Sequence, residues 1–221
     1  MFDDIAPVYD RCNGLLSLGT AGRLRRRMAR LARLPRGGRL LDLCTGTADA
    51  ALAVRALRAD AQVIGIDFSA MMLDRARAKT AGRGVHLVAG DCLALPVRSG
   101  SIDAVTVAWG LRNTASPGSA LAEAERVLRP GGRLVVLEFS RPRSKIMRKG
   151  LDTGSRLLAR AAVLLAGSGG RAYAYLPRSI AAFPAAAELS TLLEERGFAV
   201  ESVRADLLGY LCTHVAVKKV V

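Results

Sequence analysis

Two periodicities alternate along this 221-residue chain. Short apolar runs bounded by turn residues recur between residues 39 and 139, and the segments between them space their apolar residues by three and four. The runs 39–43, 62–67, 85–89, 102–108 and 133–139 predict buried strands. The segments 47–58, 69–80 and about 117–128 predict helices. Ser69 is suited to cap the second helix, and Pro130-Gly131-Gly132 stops the third. A helix over 185–196 and strands near 199–204 and 213–218 close the pattern. Strands alternating with helices imply an α/β fold, a seven-stranded and mainly parallel sheet with right-handed crossovers and helices on both faces.

Two stretches fall outside this rhythm. Residues 1–38 precede the first strand, and no acid occurs between Asp10 and Asp42. Arg23, Arg25, Arg26, Arg27, Arg30, Arg33, Arg36 and Arg39 cluster there, with Leu24, Met28 and Leu31 at helical spacing. The stretch reads as a basic amphipathic helix, either packed on the sheet with solvated arginines or lying near an anionic surface. Residues 140–182 carry Arg141, Arg143, Lys145, Arg148, Lys149, Arg156 and Arg160 against one acid, Asp152. They read as an insertion of the kind that builds a substrate pocket outside the carboxyl ends of the strands. One domain is expected: a helical cap over 1–38, a core over 39–139, a cap insertion over 140–182 and the last part of the sheet over 183–221.

Composition narrows the class. The formal net charge is +14, which suits nucleic acid, lipid headgroups or simply a solvated arginine-rich surface. Cys12, Cys44, Cys92 and Cys212 are scattered and form no C-x-x-C pair, so neither a zinc site nor a disulfide framework is expected, and no metal. A reducing cytosol fits. The first residues, MFDDIAPVYD, have no apolar signal region, and no apolar run approaches the roughly twenty residues of a membrane span.

The candidate chemistry lies at the strand ends. Arg39 to Asp49, RLLDLCTGTAD, reads as strand, tight turn at Gly46, then helix, and VIGID ends a second strand on Asp67. An acid about twenty residues past a glycine turn is placed to bind a ribose. A dinucleotide site wants G-x-G-x-x-G so that backbone can approach a pyrophosphate. Here one glycine stands beside Asp42 and Asp49, which would repel a pyrophosphate and attract a cation. The ligand that fits has a ribose, no phosphate and positive charge: S-adenosylmethionine. A plain strand-turn-helix with a structural glycine is the alternative.

The chain resembles the class I S-adenosylmethionine-dependent methyltransferases of menaquinone and ubiquinone biosynthesis. The resemblance is carried by Tyr9-Asp10-Arg-Cys-Asn13 with Leu16-Ser17-Leu-Gly19, Leu41 to Asp49, Gly110-Leu-Arg112-Asn113, and Arg126 to Gly132 through Leu137-Glu138-Phe-Ser140. Tyr173-Ala-Tyr175-Leu176 with Ser179-Ile180 and Phe183-Pro184 extends it. Cys12, Ala21 and Leu24 stand where the family usually has Met, His and Trp, and Asp91-Cys92 where Asn-Ala is common.

The resemblance implies a Rossmann-like fold and C-methylation of a demethylmenaquinol-like prenylated quinol. Another small aromatic acceptor is the alternative, then RNA. The motifs for amino-group and pyrimidine C5 methylation are missing, so no nucleic acid is expected. By resemblance, Gly46 and Thr47 line the methionine end of the cofactor beside Asp42. Asp67 accepts from the ribose hydroxyls, Phe68 sits against adenine, Asp91 and Cys92 meet the adenine edge, and Ala108 leaves room beside the sulfonium. Thr47 and Asp91 could equally cap a helix and a turn. Arg112 would stabilise a phenolate or hold a water that takes its proton, and Asn113 would orient the ring oxygen. Tyr9, Tyr175 and His214 are candidates for quinol contact, His214 being equally a core histidine. The implied setting is the cytoplasm, with the protein peripheral on an anionic inner membrane face; a homodimer is allowed.

Overall fold

A computed structural model describes residues 19–142, 153–154 and 176–220. Among these, seven strands form one sheet in the order β3-β2-β1-β4-β5-β7-β6. The strands are β1 (Arg39–Leu43), β2 (Gln62–Asp67), β3 (Val85–Ala89), β4 (Ile102–Ala108), β5 (Leu128–Phe139), β6 (Phe198–Asp206) and β7 (Leu211–Lys218). The first five run parallel, and β7 pairs antiparallel with both β5 and β6. The helices are α1 (Ala21–Leu31), α2 (Asp49–Leu57), α3 (Ala70–Thr80), α4 (Pro117–Val127), α5 (Leu176–Ala182) and α6 (Ala186–Glu195).

Alternate residues of each strand feed two apolar layers, as the strand period of two requires. Leu40, Val63, Ala104, Val135 and Leu137 meet Met28 of α1, Val54 of α2 and Met72 of α3. Leu41, Val105, Val107, Leu134 and Val136 face the other way, against Leu121 of α4 and Leu193 of α6. Ser69 caps α3 as expected, its hydroxyl accepting from the Met72 N–H at 3.2 Å.

The arginine-rich stretch is a helix packed on the fold: α1 buries Ala21, Leu24, Met28 and Ala29. Arg27 reaches Asp206 and the Thr213 hydroxyl. Arg23, Arg26, Arg30, Arg33, Arg36 and Arg39 remain exposed. One boundary differs from the sequence reading. Helix α4 stops at Val127, and Leu128 already pairs with Ile102. The ladder resumes at Ala104 opposite Arg133, so Arg129 to Gly132 bulge out of it. The expected cap segments before Gly19 and over most of 143–175 lie outside the described residues, and so do Tyr9 and Tyr175.

Strand order reverses between β1 and β4. A doubly wound sheet opens a crevice at such a point, beyond the carboxyl ends of the strands.

Candidate active site

The crevice is built from backbone strain and close approach. Cys44, Ala48 and Trp109 have φ of 51°, 66° and 57°, values that cost residues with a β-carbon and cluster at functional sites. Gly46, at φ 57°, completes the turn. Gly110 lets the two strand-end loops touch: a Cβ there would lie 2.3 Å from that of Cys44. A Cβ on Gly65 would meet the Thr45 hydroxyl at 2.8 Å.

The resulting cavity holds about 340 Å³ and is lined by, among others, Gly46, Asp67, Phe68, Asp91, Cys92 and Asn113. Asp67 lines it from the tip of β2. One carboxylate oxygen accepts the Gly46 N–H at 2.7 Å and the other accepts the Ser69 N–H at 2.9 Å. The acid therefore fixes the glycine turn where it lines the cavity. Phe68 is 84% exposed at the rim, a large aromatic face placed for a flat ligand. Asp91 accepts the Leu93 N–H at 2.9 Å and so caps its own turn while lining the cavity.

A narrow recess continues past Cys44, lined by Arg25, Asp42, Thr47, Asp49 and Ala108. Asp42 is 1% exposed and accepts from Thr45 and Thr106 hydroxyls at 2.7 and 2.6 Å. Burial raises its pKa to about 6, against the pull of those two hydrogen bonds and of Arg25. Asp49 departs from the sequence expectation. Arg25 holds one of its oxygens at 2.8 Å and Lys79 the other at 2.9 Å, so its charge is already neutralised. Lys79 also donates to the Thr47 hydroxyl at 3.0 Å. Arg25, expected on a solvated or lipid-facing surface, instead stands 5.0 Å over the Trp109 ring.

The Gly-Leu-Arg-Asn stretch divides its residues. Asn113 lines the cavity, and its amide nitrogen donates to the Trp109 carbonyl at 3.1 Å. Arg112 turns away. Its guanidinium donates to Glu138 at 3.0 and 3.2 Å and to the Trp109 carbonyl at 2.5 Å, beneath the Phe139 ring. The two side chains are 9% and 1% exposed. His214 is not brought to the cavity either. It sits mid-strand in β7, buried, with Nε2 bonded to the Ala186 carbonyl at 2.9 Å. Burial lowers its pKa, which keeps the ring neutral as a core histidine.

The residues present fit S-adenosylmethionine. That ligand has hydroxyls, a flat base and a zwitterionic end, and the site offers a carboxylate at the tip of β2, an exposed aromatic at the rim and a recess of mixed charge. Residues 1–218 match the model of the ubiE/COQ5 methyltransferase family. The chain belongs to that family. It is 46% identical to a demethylmenaquinone methyltransferase of Thermus thermophilus, over 97% of this chain and 98% of that one. It is 42% identical to a ubiquinone/menaquinone biosynthesis C-methyltransferase of Syntrophotalea carbinolica, over 96% and 90%.

Solved structures of low identity share the fold of this methyltransferase. The [4+2]-cyclase SpnF has a TM-score of 0.76 at 19% identity, covering 100% of this chain and 94% of that one. A SAM dependent methyltransferase from Aquifex aeolicus scores 0.65 at 17% identity, over 93% and 97%. The protein is an S-adenosylmethionine-dependent methyltransferase. Sequence reasoning missed three parts of its site: Arg25, Trp109, and Glu138 as the partner of Arg112. Glu138 was visible only as part of a motif, since pairing it with Arg112 needs the order of β4 and β5.

Proposed function

We propose that this methyltransferase methylates a ring carbon of a demethylmenaquinol-like prenylated quinol. The observation that carries the substrate is the near-full-length similarity to enzymes named for demethylmenaquinone. When bound, S-adenosylmethionine supplies a methyl group already activated on a sulfonium. In this reading Asp67 takes the ribose hydroxyls, Phe68 the adenine face, and Asp91 and Cys92 the adenine edge. Asp42 offsets positive charge in the recess, where Arg25 is the nearest cation for a carboxylate. Thr47 and Ala108 shape the same recess.

The protein's task is then to align the ring and keep it electron-rich. Asn113 has its amide nitrogen tied to Trp109, which leaves its oxygen to accept from a ring hydroxyl. Arg112 acts as a positioning residue, holding the turn that presents Asn113 through its pair with Glu138. Tyr9 and Tyr175 stay candidates for quinol contact from the cap segments.

A prenylated quinol resides in the bilayer, so the enzyme works at a membrane surface. No helix among the described residues is long and apolar enough to cross one. The exposed arginines on and after α1 suit attachment to anionic lipid, at about 1 kcal/mol for each basic side chain near the surface. The test incubates protein and labelled S-adenosylmethionine with vesicles carrying demethylmenaquinol, with a small aromatic acceptor, or with total RNA. Label in the quinol supports the reading. Label confined to either of the others overturns it.

A further inference from the structure

Cys44 and Cys92 follow strands β1 and β3, and β2 lies between those strands in the sheet. Neighbouring strands stand about 4.8 Å apart, so the parent strands are separated by roughly 10 Å. The loops beyond them close that gap over the end of β2. The two sulfurs meet 3.9 Å apart, the Cys44 thiol donating to the Cys92 sulfur. Both residues line the large cavity, and neither is in a disulfide.

The pair is asymmetric. The proton donated by Cys44 favours the Cys92 thiolate, and the same bond holds the proton on Cys44. One sulfur is thus the readier nucleophile and the other is in reach to resolve it. Cys44 is also hemmed in, with its Cβ against Gly110 and its φ at 51°, so its loop has little room to carry the thiol away.

We propose that this dithiol is a reversible modification site, oxidised by a peroxide to a disulfide that narrows the cavity and lowers affinity for the cofactor. The Cys92 thiolate attacks the O–O bond of hydrogen peroxide. An S–O bond forms, the O–O bond breaks, and hydroxide leaves and is protonated to water. Cys44 then attacks the sulfenic sulfur. The S–S bond forms, the S–O bond breaks, and the departing hydroxide takes the Cys44 proton as a second water. The two sulfurs together lose two electrons and two protons, and one peroxide becomes two waters. The sulfurs must close to about 2 Å, which draws the two loops together beside Asp67. The bond itself depends only on the thiol geometry. Its effect on binding rests on the cofactor placement proposed above.

The experiment treats the full chain with hydrogen peroxide, with and without S-adenosylhomocysteine, and maps unreduced peptides by mass spectrometry. Affinity for S-adenosylhomocysteine is measured by calorimetry before and after. The expected results are a Cys44–Cys92 linked peptide, binding weaker by about tenfold or more, recovery with a thiol reductant, and slower linkage when the cavity is filled. A Cys12→Ser/Cys212→Ser double variant should respond in the same way. Cys92→Ala, compared with its own untreated affinity, should not respond. Linkage through another cysteine, or sulfinic acid on Cys92 with no linkage, overturns the proposal. So does linkage with unchanged affinity. In that event Asp67→Ala separates the causes: weakened binding in that variant keeps the cofactor placement, and unchanged binding removes it too.

Discussion

At the residue scale, a half-buried acid, Asp67, and a buried one, Asp42, do different work. Asp67 organises the Gly46 turn and lines the cavity. Its replacement by Ala should weaken S-adenosylmethionine binding by about 1.5–3 kcal/mol, the range for hydrogen bonds to a charged group, as read by calorimetry. Asp42 keeps its proton to higher pH than most carboxylates, because burial raises its pKa from 3.8 to about 6. Between those values the folded protein holds the proton and the unfolded chain does not. Stability therefore falls as pH rises through that window, by on the order of 3 kcal/mol once both are ionised. Asp42→Asn should melt higher than the parent at pH 8 and match it near pH 4. The ionised form is the one that favours a cation in the recess. Cofactor affinity of the parent should thus rise about tenfold from pH 5 to 7, with a proton released on binding, and the Asn variant should show no such slope.

At the element scale, the loop after β4 is held by contacts that strand pairing alone would not supply. The Arg112–Glu138 pair ties the short turn Leu111–Asn113 to the end of β5. Arg112→Ala leaves a buried carboxylate without its partner and should cost about 3–5 kcal/mol in denaturant unfolding. Turnover should fall with it, since Asn113 loses its seat. On the other side of the loop, Gly110 gives Cys44 its space. Gly110→Ala should destabilise the protein by about 1–3 kcal/mol, the usual cost of overpacking, and weaken cofactor binding. Adding Cys44→Gly removes the opposing Cβ, at a φ that glycine adopts freely. The double variant should recover much of the lost thermal stability, and failure to recover would place the strain elsewhere.

At the scale of the whole molecule, the net charge of +14 is unevenly used. Arg25, Arg27 and Arg112 are taken up by internal acids. Among the described residues the exposed set on and after α1 makes no close ion pair, Arg23 acting on Asp206 only at longer range. Vesicle sedimentation should show binding that requires anionic lipid and weakens as salt rises, because surface charges are screened within about 10 Å at 0.1 M. Arg23→Glu/Arg26→Glu/Arg30→Glu should lose this binding without a change in melting temperature. Binding indifferent to salt and lipid charge would leave these arginines as ordinary solvated surface.

Much of this was legible from the chain alone. Strand and helix periods, the capping Ser69, the glycine turn and the acid ending β2 are local signals, because a side chain's face in a strand or helix follows from its place in the period. They were enough for the sheet, its crevice and the acid that ends β2 beside it. Some boundaries were not legible. Helix α4 yields to β5 at Leu128, where pairing with Ile102 outweighs helical continuation. Other facts come from the folded arrangement only. Arg25 and Asp49 lie on different helices, Arg112 and Glu138 on elements joined by strand order, and Cys44 and Cys92 on loops that lean across an intervening strand. The sequence lists an arginine run, two acids and scattered cysteines. Which charges cancel, and which thiols touch, is decided by distances between segments 20 to 50 residues apart or more, and local periodicity carries no term for those distances.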